Sequence, residues 1–402
     1  MPGIAAVPGP VVAGSRIFDA QQDPFAHRSI AQLVKRYGSP LFIIDAQRIR
    51  ARYRRLSRAL PKVDLHYALK PLPHPAVIAA LREEGAFFDL ASSGEVALAQ
   101  RCRVDPRRCI HTHPIKRDSD IRTALAFGID LFVVDNPDEM RKFAKYRNAA
   151  SVLVRVAFHS PDAVCDLSKK FGCSPQAVAG LLALATELRI VVKGLSFHVG
   201  SQTSDPRMCA HAIGVCRQLM QSAAAAGHSL DLLDIGGGFP VDPALSAPPI
   251  EDYCAPIRAS LSSLRADVRV IAEPGRYVAA PAAIGVASVM GRAERGGKWW
   301  YYLDDGLYGT YSGQMYDHAS YAIDTVTQGD IRYPSVLAGP TCDSIDVIAD
   351  DISLPKLKSG DLIVGRDMGA YTWASASEFN FFPRATVVAL DGGRIMHDGS
   401  DE

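Results

Sequence analysis

The sequence predicts an α/β protein: a (β/α)8 TIM-type barrel followed by a mostly antiparallel β-barrel or sandwich domain. Three observations carry this expectation. From about residue 40 to 275, short apolar runs alternate with segments of helical spacing. Those runs are almost continuously apolar, as strands of a parallel sheet covered on both faces must be. After about 276 the long helical segments stop, and short Val-, Ile- and Tyr-rich runs separated by Gly, Asp and Pro turns take over.

In chain order, the strand-like runs are LFIID (41–45), DLHYAL (64–69), AFFDLA (86–91), CIHTH (109–113), DLFVVD (130–135), SVLVRVA (151–157), IVVKGLSFHV (190–199), DLLDIG (231–236) and RVIAE (269–273). This is one more than a closed eight-stranded barrel needs, and 41–45 is expected at the barrel entrance. Helical spacing marks 46–60, 75–84, 94–103, 174–189 and 207–227 between them. Ser174-Pro175 and Asn136-Pro137 read as helix starts, and Gly128 and Gly227 as stops. In the second part, 282–290, 299–303, 335–338, 361–365 and 385–390 read as antiparallel strands. The expected organisation is residues 1–36, a leader plus an N-terminal strand that joins the β domain; 37–275, the barrel; and 276–402, the β domain.

Composition narrows the function classes. Hydrophobic residues make up 48% of 402 residues and charged residues 22%, which suffices for a large core. A net charge of +1 argues against a nucleic-acid or acidic-surface binder. No apolar run reaches the roughly 18–20 residues of a membrane span. The opening MPGIAAVPGPVVAG lacks the basic and long apolar regions of a signal peptide. Eight cysteines without a C-x-x-C pair fit reduced thiols in the cytoplasm, and no metal site is expected.

In a parallel barrel, functional groups collect at the C-terminal ends of the strands. Those tips carry Lys70, Asp89, Arg155, His198, Gly236, Gly237, Gly238, Glu273, Gly275 and Arg276. HYALKPLPHP (66–75) ends a strand on Lys70 and then meets Pro71, Pro73 and Pro75, none of which can donate to a ladder. DIGGGFP (234–240) lets backbone approach a phosphate, though a flexible loop would read the same way. AEPGRY (272–277) sets a carboxylate at a strand tip and an arginine one turn later. SFHVGSQ (196–202) aims an imidazole at the barrel mouth, and GPTCDSID (339–346) joins a thiol to a carboxylate in a turn. HTH (111–113) offers two imidazoles without a third metal ligand nearby. Pyridoxal 5′-phosphate needs these features together: a lysine for its Schiff base, a partner for its ring nitrogen and donors for its phosphate.

The chain resembles the pyridoxal-phosphate decarboxylases built on an alanine-racemase-type barrel, the family of ornithine, diaminopimelate and arginine decarboxylases. The resemblance runs through HYALKPLPHP, FDLASSGEV, AVCDLSKKFG, GLSFHVGSQ, DIGGGFP, AEPGRYV, DGLYGTYSGQMYDHA, GPTCDSID and GAYTWASASEFNFFP. It implies the cofactor on Lys70, with Asp89 and Arg155 in support and His198 stacked on the ring. Ser201, Gly236, Gly237, Gly238, Arg276 and Tyr371 are then the phosphate site, Gly275 a further cofactor-binding residue, and Glu273 the partner of the pyridine nitrogen. Cys342 is implied as the acid that protonates the product carbon. Tyr316, Asp317, Asp343 and Phe379 are implied at the substrate, with one aspartate reaching across a homodimer interface where Lys170 and Asp346 pair.

Carboxylates in place of an arginine at the far end of the pocket favour a cationic ω-amine. The expected reaction is therefore L-ornithine to putrescine and CO2, in polyamine biosynthesis. L-lysine, diaminopimelate and a specialised diamino acid are the alternatives, and a non-catalytic regulatory homologue is a third class. Trp373 and Phe381 are bulkier than the small residues of the family pattern and bear on chain-length choice.

Overall fold

The computed structural model describes residues 12–16, 22–158, 169–241 and 248–397. The start of the leader and most of AVCDLSKKFG, two segments used above, lie outside the described residues. The chain divides into two compact units, one of Met1–Arg50, His74–Ala80 and Val278–Glu402, the other of Ala51–Pro73 and Leu81–Tyr277.

The strands are β1 (Val12–Arg16), β2 (Leu41–Asp45), β3 (Val63–Ala68), β4 (Phe87–Leu90), β5 (Cys109–His111), β6 (Leu131–Val134), β7 (Ser151–Val156), β8 (Val191–Phe197), β9 (Leu232–Asp234) and β10 (Arg269–Ala272). Eight of these, β3 to β10, close into a barrel in sequence order, with β10 pairing parallel to β3. Helices join them, such as Pro75–Glu83, Ser93–Arg101 and Arg207–Ala225. Asn136 begins one as expected, its side chain accepting the Glu139 N–H at 2.9 Å. Gly128 ends another with φ +110°.

Register explains why the barrel is apolar in its middle and polar at one end. Leu153 pairs with Gly194, and Gly194 with Leu232, across β7, β8 and β9. Two residues further on, Arg155 pairs with Ser196, and Ser196 with Asp234. Side chains alternate faces along a strand, so both rows point inward. Leu153 and Leu232 join Ile110, Val133 and Ile271 in the central apolar cluster. A Cβ on Gly194 would stand 1.7 Å from the Leu232 carbonyl oxygen, so only glycine fits that row.

The other unit holds a ten-stranded sheet that runs β1-β18-β17-β2-β11-β12-β14-β15. Its later strands are β11 (Ala283–Arg295), β12 (Lys298–Leu303), β13 (Ile323–Thr325), β14 (Tyr333–Ala338), β15 (Val347–Leu354), β16 (Leu362–Gly365), β17 (Thr386–Asp391) and β18 (Arg394–His397). Strand β13 pairs with β16, and β16 with β11. Most pairs are antiparallel; β2–β17 and β12–β14 are parallel. Strand β2 corrects the expectation for 41–45: it is not at the barrel entrance but central in this sheet, between β11 and β17. Its five residues are all buried, so it has the same apolar signature as a barrel strand.

Candidate active site

In the barrel unit the ends of β3, β4, β7, β8, β9 and β10 bring one set of charges together. The strand carrying Lys70 stops where the sequence indicates, and the turn is closed by Leu69 N–H to the Asp89 carbonyl at 3.2 Å and Leu72 N–H to the Leu69 carbonyl at 3.1 Å. Lys70 is exposed. Its charge acts on Asp89, His198 and Glu273, which places all four side chains at one end of the barrel.

Asp89 is buried and accepts a hydrogen bond from the Thr112 hydroxyl. Burial, with the Glu273 charge next in size, raises its carboxyl to about 7 against the pull of Lys70. Burial also lifts Asp234 to about 6, although it accepts the Gly236 N–H at 2.9 Å. Glu273 is pushed well above the usual carboxylate range by burial and by hydrogen-bonded Asp234. Glu95, whose carboxylate accepts the Ala91 N–H at 2.6 Å, is raised by burial to about 7. His198 moves the other way. Burial, then Arg155 and Lys70, hold the imidazole well below its ordinary value. It is therefore neutral at pH 7, and its Nδ1 accepts the Gly200 N–H at 3.0 Å.

The glycine loop is a cradle that side chains would fill. Gly236 and Gly238 have φ of +66° and +95°. A Cβ on Gly237 would stand 2.7 Å from the Glu273 carbonyl oxygen and 3.2 Å from His198 Nε2. Arg276 opens the short helix Arg276–Ala279, and its Nε donates to Ser201 Oγ at 3.4 Å. Gly275 packs its backbone on Pro71, where a Cβ would meet Cγ at 2.6 Å. The prolines after Lys70 and the AEPGRY turn therefore interlock.

Among these groups the carboxyls of Asp89, Asp234 and Glu273 interact with one another and with the cations Lys70 and Arg155. Burial and mutual repulsion raise these carboxyls, and such a perturbed cluster at a barrel's C-terminal end marks a functional-site candidate. A ligand that brings a protonated ring nitrogen to Glu273 and an anionic group to the glycine loop fits this donor set. Pyridoxal phosphate is such a ligand.

Lys170 lies in the barrel unit, its ammonium 5.1 Å from the centre of the Phe171 ring, and the remaining expected residues lie in the other unit. Cys342 is an exposed thiol whose backbone N–H donates to Asn380 Oδ1 at 3.0 Å. Asp343 accepts from the Tyr308 hydroxyl at 2.5 Å and from the Ile345 N–H at 3.2 Å. The Tyr308 bond, the larger effect, holds the Asp343 carboxyl below its usual range and pushes Tyr308 up to about 12. The Tyr308 ring stacks on Phe379 with centroids 4.4 Å apart. Tyr316 and Asp317 end the helix Gly313–Asp317, with Tyr316 64% exposed. Tyr371 has φ +57°, and its carbonyl accepts from Ser375 Oγ at 3.1 Å. Asp346 is buried and accepts from Leu307 N–H, Thr341 N–H and Thr341 Oγ1. Trp373 packs on Phe42 and His74, with the Arg384 guanidinium 4.4 Å above its ring, while Phe381 is 98% exposed.

Sequence reasoning missed Asp234, Thr112, Glu95, Tyr308 and Asn380. Asp234 was within reach, as the polar residue that ends β9 before the glycines. Among the described residues no three His, Cys, Asp or Glu side chains gather as metal ligands would. The two histidines of HTH pack instead on different rings, His111 on Phe132 at 5.7 Å and His113 on Phe171 at 5.3 Å. No helix among the described residues is long and apolar enough to cross a membrane.

A barrel with an amine, a neutral imidazole, a buried carboxyl cluster and a glycine cradle at its C-terminal end defines a cofactor-dependent enzyme class, and comparison with known proteins identifies it. Residues 46–280 match the family model for the pyridoxal-binding domain of pyridoxal-dependent decarboxylases. The chain is 35% identical over 367 residues to the lysine/ornithine decarboxylase of Selenomonas ruminantium, covering 91% of this chain and 93% of that protein. It is 35% identical to the ornithine decarboxylase of Mus musculus, covering 86% of this chain and 79% of that one. The structure of lysine/ornithine decarboxylase from Vibrio vulnificus with cadaverine is similar at a TM-score of 0.87 and 54% identity, covering 90% of this chain and 98% of that chain. The chain belongs to the family of pyridoxal-dependent ornithine/lysine/arginine-type decarboxylases.

Proposed function

We propose that this chain decarboxylates L-ornithine to putrescine and CO2 and takes L-lysine as a second substrate. The observation that carries the reading is one turn holding an exposed thiol, Cys342, beside a carboxylate, Asp343, whose pKa is kept low by Tyr308. An anionic Asp343 suits the distal ammonium of a diamino acid and repels a second carboxylate such as that of diaminopimelate. The lysine arm has its own support: similar structures from Vibrio vulnificus hold cadaverine in one case and putrescine in another.

When bound, pyridoxal phosphate supplies the electron sink for the pair left on the α-carbon as CO2 departs. In this reading Lys70 would hold the cofactor, and Glu273 would partner its ring nitrogen. Neutral His198 would support the ring. Ser201, Gly236, Gly237, Gly238, Arg276 and Tyr371 hold the phosphate, with Gly275 a further cofactor-binding residue. Asp89 and Arg155 fix the charge balance around Lys70. Cys342, the exposed thiol of this turn, delivers a proton to the α-carbon. Asp343 and Asp317 hold the distal amine, while Tyr316 and Phe379 border its methylenes. The exposed rings of Tyr316, Phe379 and Phe381 around this turn suit cover by a second copy, so the working form is a homodimer with shared sites.

The test is CO2 release by the cofactor-loaded protein from separate L-ornithine, L-lysine, meso-diaminopimelate and L-arginine. The reading expects ornithine and lysine to exceed meso-diaminopimelate by at least about tenfold in kcat/KM, since setting its second carboxylate against anionic Asp343 in place of a charge-assisted contact costs roughly 1.5–3 kcal/mol. Equal or faster release from diaminopimelate would remove Asp343 from the role given to it.

A further inference from the structure

We propose that Asn380 is a positioning residue that aims the Cys342 thiol, and so decides where the proton goes after CO2 is lost. The inference rests on Cys342 being the proton donor and deepens that reading.

The turn around Cys342 is anchored unevenly. Asp346, after the turn, ties down the flank before it: its carbonyl accepts the Gly339 N–H at 2.8 Å, and its carboxylate accepts Thr341 N–H at 3.1 Å and Thr341 Oγ1 at 2.7 Å. At Cys342 itself the support comes from outside the turn, through the 3.0 Å bond from its N–H to Asn380 Oδ1. Asn380 presents that oxygen from a left-handed conformation, φ +58° and ψ +17°. Asparagine tolerates this region better than most residues. The next residue, Phe381, also has φ +60°, where a bulky side chain is disfavoured. Backbone strain of this kind persists where the surroundings enforce it. The strained pair sits directly at the amide contact with Cys342.

The same short segment reaches the neighbouring carboxylate. Phe379 stacks on Tyr308 at 4.4 Å, and the Tyr308 hydroxyl bonds to Asp343. Residues 379–380 thus hold Cys342 directly and Asp343 through one ring. Losing the Asn380 bond frees the Cys342 backbone while leaving the Asp343 contact in place.

The chemistry makes the aim of this thiol matter. Productive turnover puts one proton on the substrate's α-carbon, and the diamine leaves as the cofactor returns to its aldehyde form. If the proton goes instead to the cofactor's aldehyde-derived carbon, hydrolysis by one water gives an aminoaldehyde and pyridoxamine phosphate. The substrate carbon is then oxidised by two electrons and the cofactor reduced by two.

The experiment compares wild type, Cys342→Ala, Asn380→Gly and Asn380→Ala. Glycine keeps the left-handed turn and removes only the acceptor; alanine removes the same acceptor in a different backbone context. The first readout is the fraction of turnovers that end in aminoaldehyde plus pyridoxamine phosphate with L-ornithine. The second, on apoprotein, is the alkylation rate of Cys342 by iodoacetamide, with Cys342→Ala as background. Cys342→Ala and both Asn380 variants are expected to raise the abortive fraction at least tenfold, with KM changed less than threefold. Alkylation of Cys342 is expected to quicken at least threefold in the Asn380 variants. A shift in Cys342→Ala with wild-type partition and alkylation in the Asn380 variants overturns the positioning role alone. Wild-type partition in Cys342→Ala overturns the proton-donor reading, and this proposal with it.

Discussion

Replacing Asp89 by asparagine is expected to stabilise the apoprotein at pH 8 and to leave it unchanged near pH 4. Asp89 is buried, and its carboxyl is raised from 3.8 to about 7, chiefly by burial and next by the Glu273 charge. Below about pH 4 it is protonated in both folded and unfolded chains, and the full stability is present. As pH rises through the folded pKa of about 7, the folded state must give up a proton that the unfolded state lost earlier, and stability is lost. At 1.36 kcal/mol per pKa unit, the rise from 3.8 to about 7 amounts to at most roughly 4 kcal/mol. Asparagine keeps an acceptor for the Thr112 hydroxyl, so the change removes charge with little loss of hydrogen bonding. The assay is urea unfolding of wild-type and Asp89→Asn apoprotein at pH 4, 5, 6, 7 and 8. A midpoint difference that does not grow with pH, or a variant less stable at pH 8, would refute the claim that burial holds the Asp89 carboxyl protonated in the apoprotein.

The other expectations follow from the same geometry. Gly237→Ala drives a methyl toward the Glu273 carbonyl oxygen and His198. Overpacking of this kind costs about 1–3 kcal/mol, so the pyridoxal phosphate Kd should rise roughly 5- to 150-fold in a fluorescence titration. Asp343→Asn should raise the KM for L-ornithine by about 10- to 100-fold in a CO2-release assay, more than it lowers kcat. Tyr308→Phe removes the hydrogen bond that holds Asp343; a several-fold rise in KM is expected, from a loss of about 1 kcal/mol.

The barrel and its charged end were legible because each depends on a local rule. Near-continuous apolar runs announce parallel strands, and prolines after Lys70 or glycines after Asp234 announce where a strand must stop. Strand β2 escaped because a strand buried on both faces looks the same in either sheet. Strand β15 escaped for the opposite reason: VIADDISL carries two adjacent exposed aspartates, which break the apolar alternation. Tyr308 and Asn380 were illegible in another sense. Their roles come from contacts with Asp343 and Cys342 across 35 and 38 residues of chain, which no periodicity encodes. Asp234 had the right position and was passed over because the neighbouring glycines gave a sufficient reading of the loop.

The central claim is that Lys70 carries the cofactor at the end of β3. Borohydride reduction of the cofactor-loaded protein, followed by proteolysis and mass spectrometry of the labelled peptide, tests it directly. A phosphopyridoxyl group is expected on the peptide that contains Lys70, and none in Lys70→Ala. A label on another lysine, or a labelled Lys70→Ala protein that still releases CO2 at the wild-type rate, would contradict it.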